Sequence, residues 1–448
     1  MRIAVALIAL LVPVHAAGQL ARFETYLRPF VETNNLSGVI LVSRGHRVLF
    51  HKAYGIANPE FRVPNTTETR FHIASISKAF TAVAILLLEE QGKLKTSDSV
   101  ARFLPDYPNG SRIRIDHLLT HTSGIPNTTD FPELSSSKYV PYTASTIVAT
   151  FKDKPLDFEP GARARYTNSD YNLLALIIER LSGQTYGEFL RANVFDPFGL
   201  KATSHDADPA AIIPYSASGT EPGGLRDVKR IPYLAWGTKT GSGSIVSTTT
   251  DLCAFAGALF GGRLLKPASL AKLVGAEGVF PYGWENRERA GHKGKGVGGR
   301  SPGFISSLAY FPDDGGGTCV AILTNSYSSV GQVIEPDVAA LAFGQTASPP
   351  RIAYLRPRPG ALAPFAGRFQ MPPDFYAPNL VLDFQDRGDY LEATSPNGST
   401  NIIYPAGGDH FVDRTFWAEL DFVRDAGGTV TGFTYKLLRD FTAKKLAF

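Results

Sequence analysis

The chain has 448 residues, 44% of them hydrophobic and 19% charged, with 43 Gly and 31 Pro. That length exceeds one ordinary compact domain and suits a large domain with a smaller companion, with many turns. A formal net charge of +4, with no basic run and no interleaving of aromatic and basic residues, argues against a nucleic-acid partner.

The amino terminus reads as an export signal, residues 1–17, with Arg2 as the charged start, Ile3 to Val12 as a short apolar core and Val14-His15-Ala16 as a small-residue cleavage site. That core is too short to span a bilayer, and no later stretch is long and apolar enough. A periplasmic or secreted protein is expected, with a retained amino-terminal anchor as the alternative. Asn-x-Ser/Thr sites, among them Asn65, Asn109, Asn127 and Asn397, matter only in a eukaryotic secretory pathway. Two cysteines do not make a disulfide framework, so Cys253 and Cys319 are read as separate buried fillers, with pairing as the alternative.

Ser37 to Val42 and Arg47 to Ala53 are β-rich runs joined by Arg44-Gly45-His46, a hairpin pattern. A helix is expected from Ser75 to Gly92, apolar on almost every side from Ala79 to Leu88 and therefore buried inside a domain. Another runs from Asp170 to a carboxy-terminal cap at Gly183, and a third begins near Thr250. Phe304 to Phe311 and Thr318 to Thr324 form a second hairpin pattern around Pro312–Gly317. Two distant hairpins with helices between them predict an antiparallel sheet built from both ends of an α+β domain, residues 18–346. After a helix near Val333 to Phe343, residues 347–360 read as a Pro-rich linker. Residues 361–448 then read as a small all-β sandwich or barrel, with strand candidates at Leu380–Phe384, Tyr390–Ala393, His410–Val412 and Glu419–Phe422.

The chemistry starts at Ser75-Ile76-Ser77-Lys78. A serine and a lysine three apart share one helix face, and a desolvated lysine loses its proton readily enough to act as a base for the serine. Ser-x-x-Lys also occurs at Ser135/Lys138, in a serine-rich loop, and at Ser269/Lys272, but only the first opens a long apolar helix. By itself Ser75 also reads as a first-turn capping hydroxyl. Tyr166-Thr167-Asn168, held in the approach to the helix at Asp170, adds a phenol able to hand a proton to a leaving group and an amide able to hold the lysine or substrate. Tyr107-Pro108-Asn109 matches the same pattern and is more simply a turn.

These residues resemble those of the serine β-lactamase-like hydrolases: class C β-lactamases, D-alanyl-D-alanine carboxypeptidases and related esterases. The resemblance extends through Phe71–Lys78, Leu118–Gly124, Phe158–Gly161, Tyr166–Tyr171 and Ser247–Leu252, in the family's order, and covers roughly residues 20 to 345. It implies an antiparallel sheet flanked by helices, a helical lobe, and a site between them, with Ser75 as nucleophile, Lys78 as its base, Tyr166 as proton shuttle and Asn168 beside them. It also implies that His121 and Ser123 belong to a structural loop, and the all-β tail looks like one that some members append.

The third family motif, Lys or His followed by a small residue and Gly, departs from the pattern. Aligned on Pro302-Gly303-Phe304, its place falls on Val297-Gly298-Gly299, and the amide of Arg300 then shares an oxyanion hole with that of Ser75. Aligned on histidine, it falls on His292-Lys293-Gly294 and requires about five extra residues. The first alignment is favoured because Gly303-Phe304 begins a strand pattern. Lys239-Thr240-Gly241 spells the motif on the wrong side of a helix, and Gly299-Arg300-Ser301-Pro302-Gly303 spells a nucleophile elbow without the strand before it or the helix after it; both are set aside.

The sequence therefore predicts an exported serine hydrolase that acts through an acyl-enzyme on an ester or amide, a β-lactam, a D-alanyl peptide or a small ester. No metal and no cofactor are expected, and the partner is a small-molecule or peptide substrate. With Val297 in place of a polar donor, uncharged substrates are expected to be preferred, unless Lys293, Lys295 or Arg300 supplies the charge. The alternatives are a non-catalytic protein that keeps the fold and binds penicillin, wall fragments or lipid, and an α/β-hydrolase-type esterase using Ser301 with His410.

Overall fold

A computed structural model describes residues 14–131, 141–275, 281–312, 316–348, 356–396, 398–437 and 439–446. Residues 1–13 of the export signal, the Ser135/Lys138 pair and Asn397 lie outside the described residues. The longer helices are α1 (Val14–Glu32), α2 (Ser77–Glu90), α3 (Asn168–Ser182), α4 (Thr249–Phe260), α5 (Pro267–Gly275) and α6 (Glu335–Ala342). No described helix is long and apolar enough to cross a membrane.

The central sheet has six antiparallel strands: β1 (Gly38–Arg44), β2 (Arg47–Tyr54), β3 (Glu285–Arg289), β4 (His292–Ser301), β5 (Phe304–Phe311) and β6 (Thr318–Thr324), in the spatial order β3-β4-β5-β6-β1-β2. Both expected hairpins form, and β1 pairs with β6 from Gly38↔Thr324 to Arg44↔Thr318, so the two ends of the domain close one sheet. Side chains alternate across it. Val39, Ala321 and Leu323 face the core around α2, whereas Ile40, Val42, Val320 and Ile322 face the core built with α1 and α6. Because both faces are covered, β5 and β6 are buried along their whole length.

α2 runs through the middle of the larger core, as its apolar circumference requires. Ile85, Leu86 and Leu88 are fully buried, each stabilising the fold by about 1.5–3 kcal/mol. α3 is capped at both ends by residues the sequence offers. The Thr167 side chain accepts from Ser169 N, and Gly183 adopts φ +71° as its carboxy-terminal cap.

The cysteines correct one expectation: Cys253 on α4 and Cys319 on β6 are bonded to each other, with Cα atoms 5.8 Å apart. Cys319 shares the inward face of β6 with Ala321 and Leu323, and α4 packs on that face, so the bond ties helix to sheet across 66 positions of sequence. Two of the Asn-x-Ser/Thr sites are also structural. The Asn65 amide is buried against Tyr54 O and Asn325 Oδ1, and Asn127 accepts from the Asn168 amide.

The carboxy-terminal part is a closed eight-stranded barrel: β7 (Gly367–Gln370), β8 (Val381–Asp386), β9 (Leu391–Thr394), β10 (Thr400–Gly407), β11 (His410–Asp413), β12 (Ala418–Arg424), β13 (Val430–Lys436) and β14 (Asp440–Lys445). Phe365, Phe369, Phe384, Phe411, Phe422 and Phe433 fill it. A loop after β11 docks it onto the sheet domain: buried Arg414 donates to Asn35 Oδ1, Asn34 O, Gly224 O and Asp227 O, and Ser329 N donates to Thr415 O.

Candidate active site

Ser75 sits in a single 3-10 turn, Ala74–Ile76, that opens into α2, rather than on the α-helix itself. Ala74 takes the left-handed conformation at φ +48°, a backbone state that costs a non-glycine residue about 1 kcal/mol or more and is held only by its surroundings. Those surroundings are Ile73, whose N–H donates to Ile245 O and whose carbonyl accepts from Ser306 Oγ at 2.8 Å, and Ser77, whose Oγ accepts from Ile245 N.

Ser75, Lys78, Tyr166 and Asn168 come together as the sequence suggests. Ser75 Oγ lies 2.7 Å from Tyr166 OH and 3.3 Å from Lys78 Nζ. Lys78 Nζ also donates to Asn168 Oδ1 at 2.8 Å and to the Ser242 carbonyl at 2.7 Å. Asn127 Oδ1 accepts from both Asn168 N and Nδ2, which turns the Asn168 oxygen toward the lysine. Burial pushes the Lys78 amine well below its ordinary value; the Lys239 charge pushes it the same way, and Asp170 opposes both. Burial raises the Tyr166 phenol to about 12, against the pull of its bond to Ser75.

His121 and Ser123 both bond the buried Asp170 carboxylate, which agrees with a structural role for that loop. Of the other copies of the short motifs, Lys272 pairs with Glu89 at 2.8 Å, and Gly110 N donates to Tyr107 O in a turn.

β4 closes the site. A Cβ on Gly299 would stand 2.2 Å from Ile73 O, 2.2 Å from Ser306 Oγ and 3.1 Å from Ser75 N, so only glycine lets this strand lie against the nucleophile turn. Ser301 and Phe304 pair across the two-residue turn Pro302-Gly303. In the alternation of an antiparallel ladder the next pair, Arg300 and Ile305, is unbonded to each other, so the Arg300 amide points to the open edge. β3 covers β4 only from His292 to Gly296, and among the described residues no strand pairs with the rest of that edge beside the site.

Val297 is on the Gly299 face and packs into the core. Gly298 faces away, toward Gln332, as does the Arg300 side chain, which lies between the rings of Tyr327 and Phe416. His292 corrects the second alignment: it is seven positions from Gly299, about 23 Å along a strand, stacked on Phe343. None of the expected charge donors reaches the site. Lys293 lies opposite Glu288 at the covered end of β4, and Lys295 Nζ is held by Val274 O and Asn286 Oδ1.

Four participants escaped the sequence reading: Asn127, Ser242, Ser306 and Lys239. Lys239, set aside with the misplaced Lys-Thr-Gly, donates to Ser301 Oγ at 2.9 Å from the 3-10 turn Trp236–Lys239. The lysine of that triplet reaches the site even though the triplet is not on the closing strand. Among the described residues no group of three or more His, Cys, Asp and Glu side chains is placed to hold a metal ion.

A sheet with a helical lobe, and a serine, lysine, tyrosine and asparagine at their junction, is the arrangement of a β-lactamase-type serine hydrolase fold. The Beta-lactamase family pattern matches residues 23–343, and the chain belongs to that family. It is 30% identical over 313 residues to penicillin-binding protein 4* of Bacillus subtilis, covering 65% of this chain and 68% of that one. A penicillin-binding protein from Bacillus halodurans superposes with TM-score 0.62 at 31% identity, over 70% of this chain and 99% of its own. An octameric penicillin-binding protein homologue from Pyrococcus abyssi shares the fold over 95% of this chain and 99% of its own, with TM-score 0.64 at 24% identity.

Proposed function

We propose that the protein is an exported serine hydrolase that cleaves an ester or amide through an acyl-enzyme on Ser75. The observation that carries this reading is the shell around Lys78. A neutral amine has two N–H groups and one lone pair. Two carbonyl acceptors, Asn168 Oδ1 and Ser242 O, take the two N–H groups, and the third neighbour, Ser75 Oγ, then meets the lone pair. Burial and the nearby Lys239 charge favour that neutral state.

In this reading Ser75 Oγ attacks the substrate carbonyl as its proton passes to Lys78, and the oxyanion is held by the amides of Ser75 and Arg300. Tyr166, protonated at neutral pH and 2.7 Å from Ser75 Oγ, hands a proton to the leaving group. Water then releases the acyl group by the reverse route. The unpaired edge of β4 offers backbone groups to an extended substrate. Export is supported by the Cys253–Cys319 bond, which persists in an oxidising compartment, and by the signal-like residues 1–17. Similarity to penicillin-binding proteins makes a β-lactam a rational probe.

The test is intact-mass spectrometry of the mature protein after exposure to a fluorophosphonate and, separately, to a penicillin, with Ser75→Ala as control. One adduct per chain, absent from the variant, is expected. No adduct with either reagent would favour the non-catalytic binding protein, and an adduct that survives Ser75→Ala would favour Ser301.

A further inference from the structure

β4 is held from behind at Gly299 and Arg300, the residues that border the proposed oxyanion hole. Gln332 Nε2, from the short helix Val330–Val333, donates to Gly299 O and to Ser306 O, each at 3.2 Å. The Arg300 side chain turns away from Ser75 toward the same segment, and its Nη1 donates to Ser329 Oγ. Its guanidinium carbon lies 4.4 Å from the centre of the Tyr327 ring and 4.5 Å from that of Phe416. Among the described residues its buried Nε and Nη2 have no hydrogen-bond partner. One hydroxyl and two aromatic faces therefore fix the guanidinium, and the attraction of a cation to a ring strengthens where water is excluded.

Part of this anchorage belongs to the barrel. Phe416 stands in the loop after β11, and Ser329 N donates to Thr415 O in the same loop. The loop takes its shape from inside the barrel: buried Asp413 accepts through Oδ1 from Thr415 N at 2.7 Å and Phe416 N at 3.1 Å. Through Oδ2 it accepts from Asn401 Nδ2 and Tyr435 OH, both at 2.9 Å. On either side of Thr415 and Phe416 the sheet domain holds the loop, through the acceptors of Arg414 and through Phe30 of α1, whose ring lies 5.5 Å from that of Trp417. A loop fixed at its base and at both flanks presents Phe416 as a rigid face. A shift of β4 is felt at once by the nucleophile turn, because a Cβ on Gly299 would stand only 3.1 Å from Ser75 N.

We propose that the carboxy-terminal barrel positions the oxyanion hole: Phe416, pressed on the Arg300 guanidinium together with Tyr327, holds β4 so that the Arg300 amide points at the carbonyl attacked by Ser75. This rests on Ser75 as the acylated residue. Phe416 and the Arg300 side chain are positioning residues. The donor they aim is a backbone N–H, which a substitution of Arg300 by alanine misplaces without removing. The contact therefore acts on the transition state, where the oxyanion forms, and leaves ground-state binding in place.

The experiment is steady-state hydrolysis of a neutral ester by the whole chain and its variants, with circular dichroism to check each fold. Phe416→Ala is expected to lower kcat about tenfold and to leave KM within about twofold. Phe416→Tyr, which keeps the aromatic face, should hold kcat within about twofold of the parent. Because Phe416 acts through Arg300, adding Phe416→Ala to Arg300→Ala should lower kcat by no more than about twofold further. Where Phe416→Ala does not fold, Phe416→Leu removes the ring at nearly constant volume and carries the same expectations. An unchanged kcat, a loss carried by KM, no rescue by tyrosine, or an additive loss in the double variant overturns the proposal. Hydrogen exchange gives a readout independent of turnover: the β4 segment from Val297 to Ser301 should exchange about fivefold faster in Phe416→Ala, with β6 unchanged. Equal rates in β4 overturn the proposal. Fluorophosphonate labelling of Ser75 is read separately: a labelled protein whose kcat ignores Phe416 refutes the role of the barrel alone. An unlabelled protein refutes the acyl-enzyme and leaves hydrogen exchange to decide whether the barrel holds β4.

Discussion

At the scale of single residues, Lys78 and Gly299 make the sharpest demands. Lys78 is pushed well below its ordinary value by burial and by the Lys239 charge, which favours the free amine over the ammonium facing Ser75. Lowering the pH through its pKa adds a proton, removes the acceptor and slows acylation. Tyr166 must be protonated to donate, and burial keeps it so up to about 12. The pH profile of kcat/KM for a neutral ester should therefore have an acidic limb and no alkaline limb from Tyr166 below that value. A steep loss between pH 8 and 10 would contradict the assignment. Gly299→Ala would drive a methyl group into Ile73 O and Ser306 Oγ. The strand must retreat from the nucleophile turn, and kcat should drop by about 10²-fold or more, the cost of losing an oxyanion donor, with circular dichroism unchanged. Ser75, Lys78, Tyr166 and Asn168 were legible because each sits in a short ordered pattern. Ser242 and Asn127 were not, because each contributes one oxygen whose direction depends on a turn.

At the scale of elements, the disulfide shows what a linear pattern hides. Cys253 reads as one more apolar position of α4 and Cys319 as one more of β6, and only the packing of that helix on that sheet face brings them together. A cross-link closing 66 positions restricts the unfolded chain strongly, by about 4 kcal/mol in the chain-entropy account, with about 2–4 kcal/mol typical. Denaturant unfolding with and without a thiol reductant should show a loss of that order, and an unchanged midpoint would mean that the reduced chain is not less constrained. The long periodic or fully apolar elements, α2, α3, β5 and β6, were legible from sequence, as was the cap at Gly183. Four of the eight barrel strands, β7, β10, β13 and β14, were not, because their alternation is interrupted by Gly, Pro or charged residues that only barrel closure explains.

At the scale of the whole molecule, the barrel is fastened to the sheet domain through the loop after β11, and the fastening reaches the site. Phe416 lies against the guanidinium of Arg300, whose amide borders the site, and Arg414 fills four acceptors of the sheet domain. Arg414→Ala leaves those acceptors without their donor, at about 1–3 kcal/mol for each that water cannot reach. Chemical unfolding of the variant should begin earlier and split into two transitions as the barrel uncouples; a single unshifted transition would show that the loop carries no coupling energy. The sequence by itself determined the class of fold with its small all-β tail, and it singled out Ser75, Lys78 and Tyr166, which the fold brings together, because those readings depend on periodicity and on short local patterns. The tertiary structure alone decided which strand residues face Ser75, that Cys253 meets Cys319, and that a second lysine, Lys239, reaches Ser301 on the closing strand. Those are distances between segments far apart in sequence, set by how helices pack on a sheet and not by any local pattern.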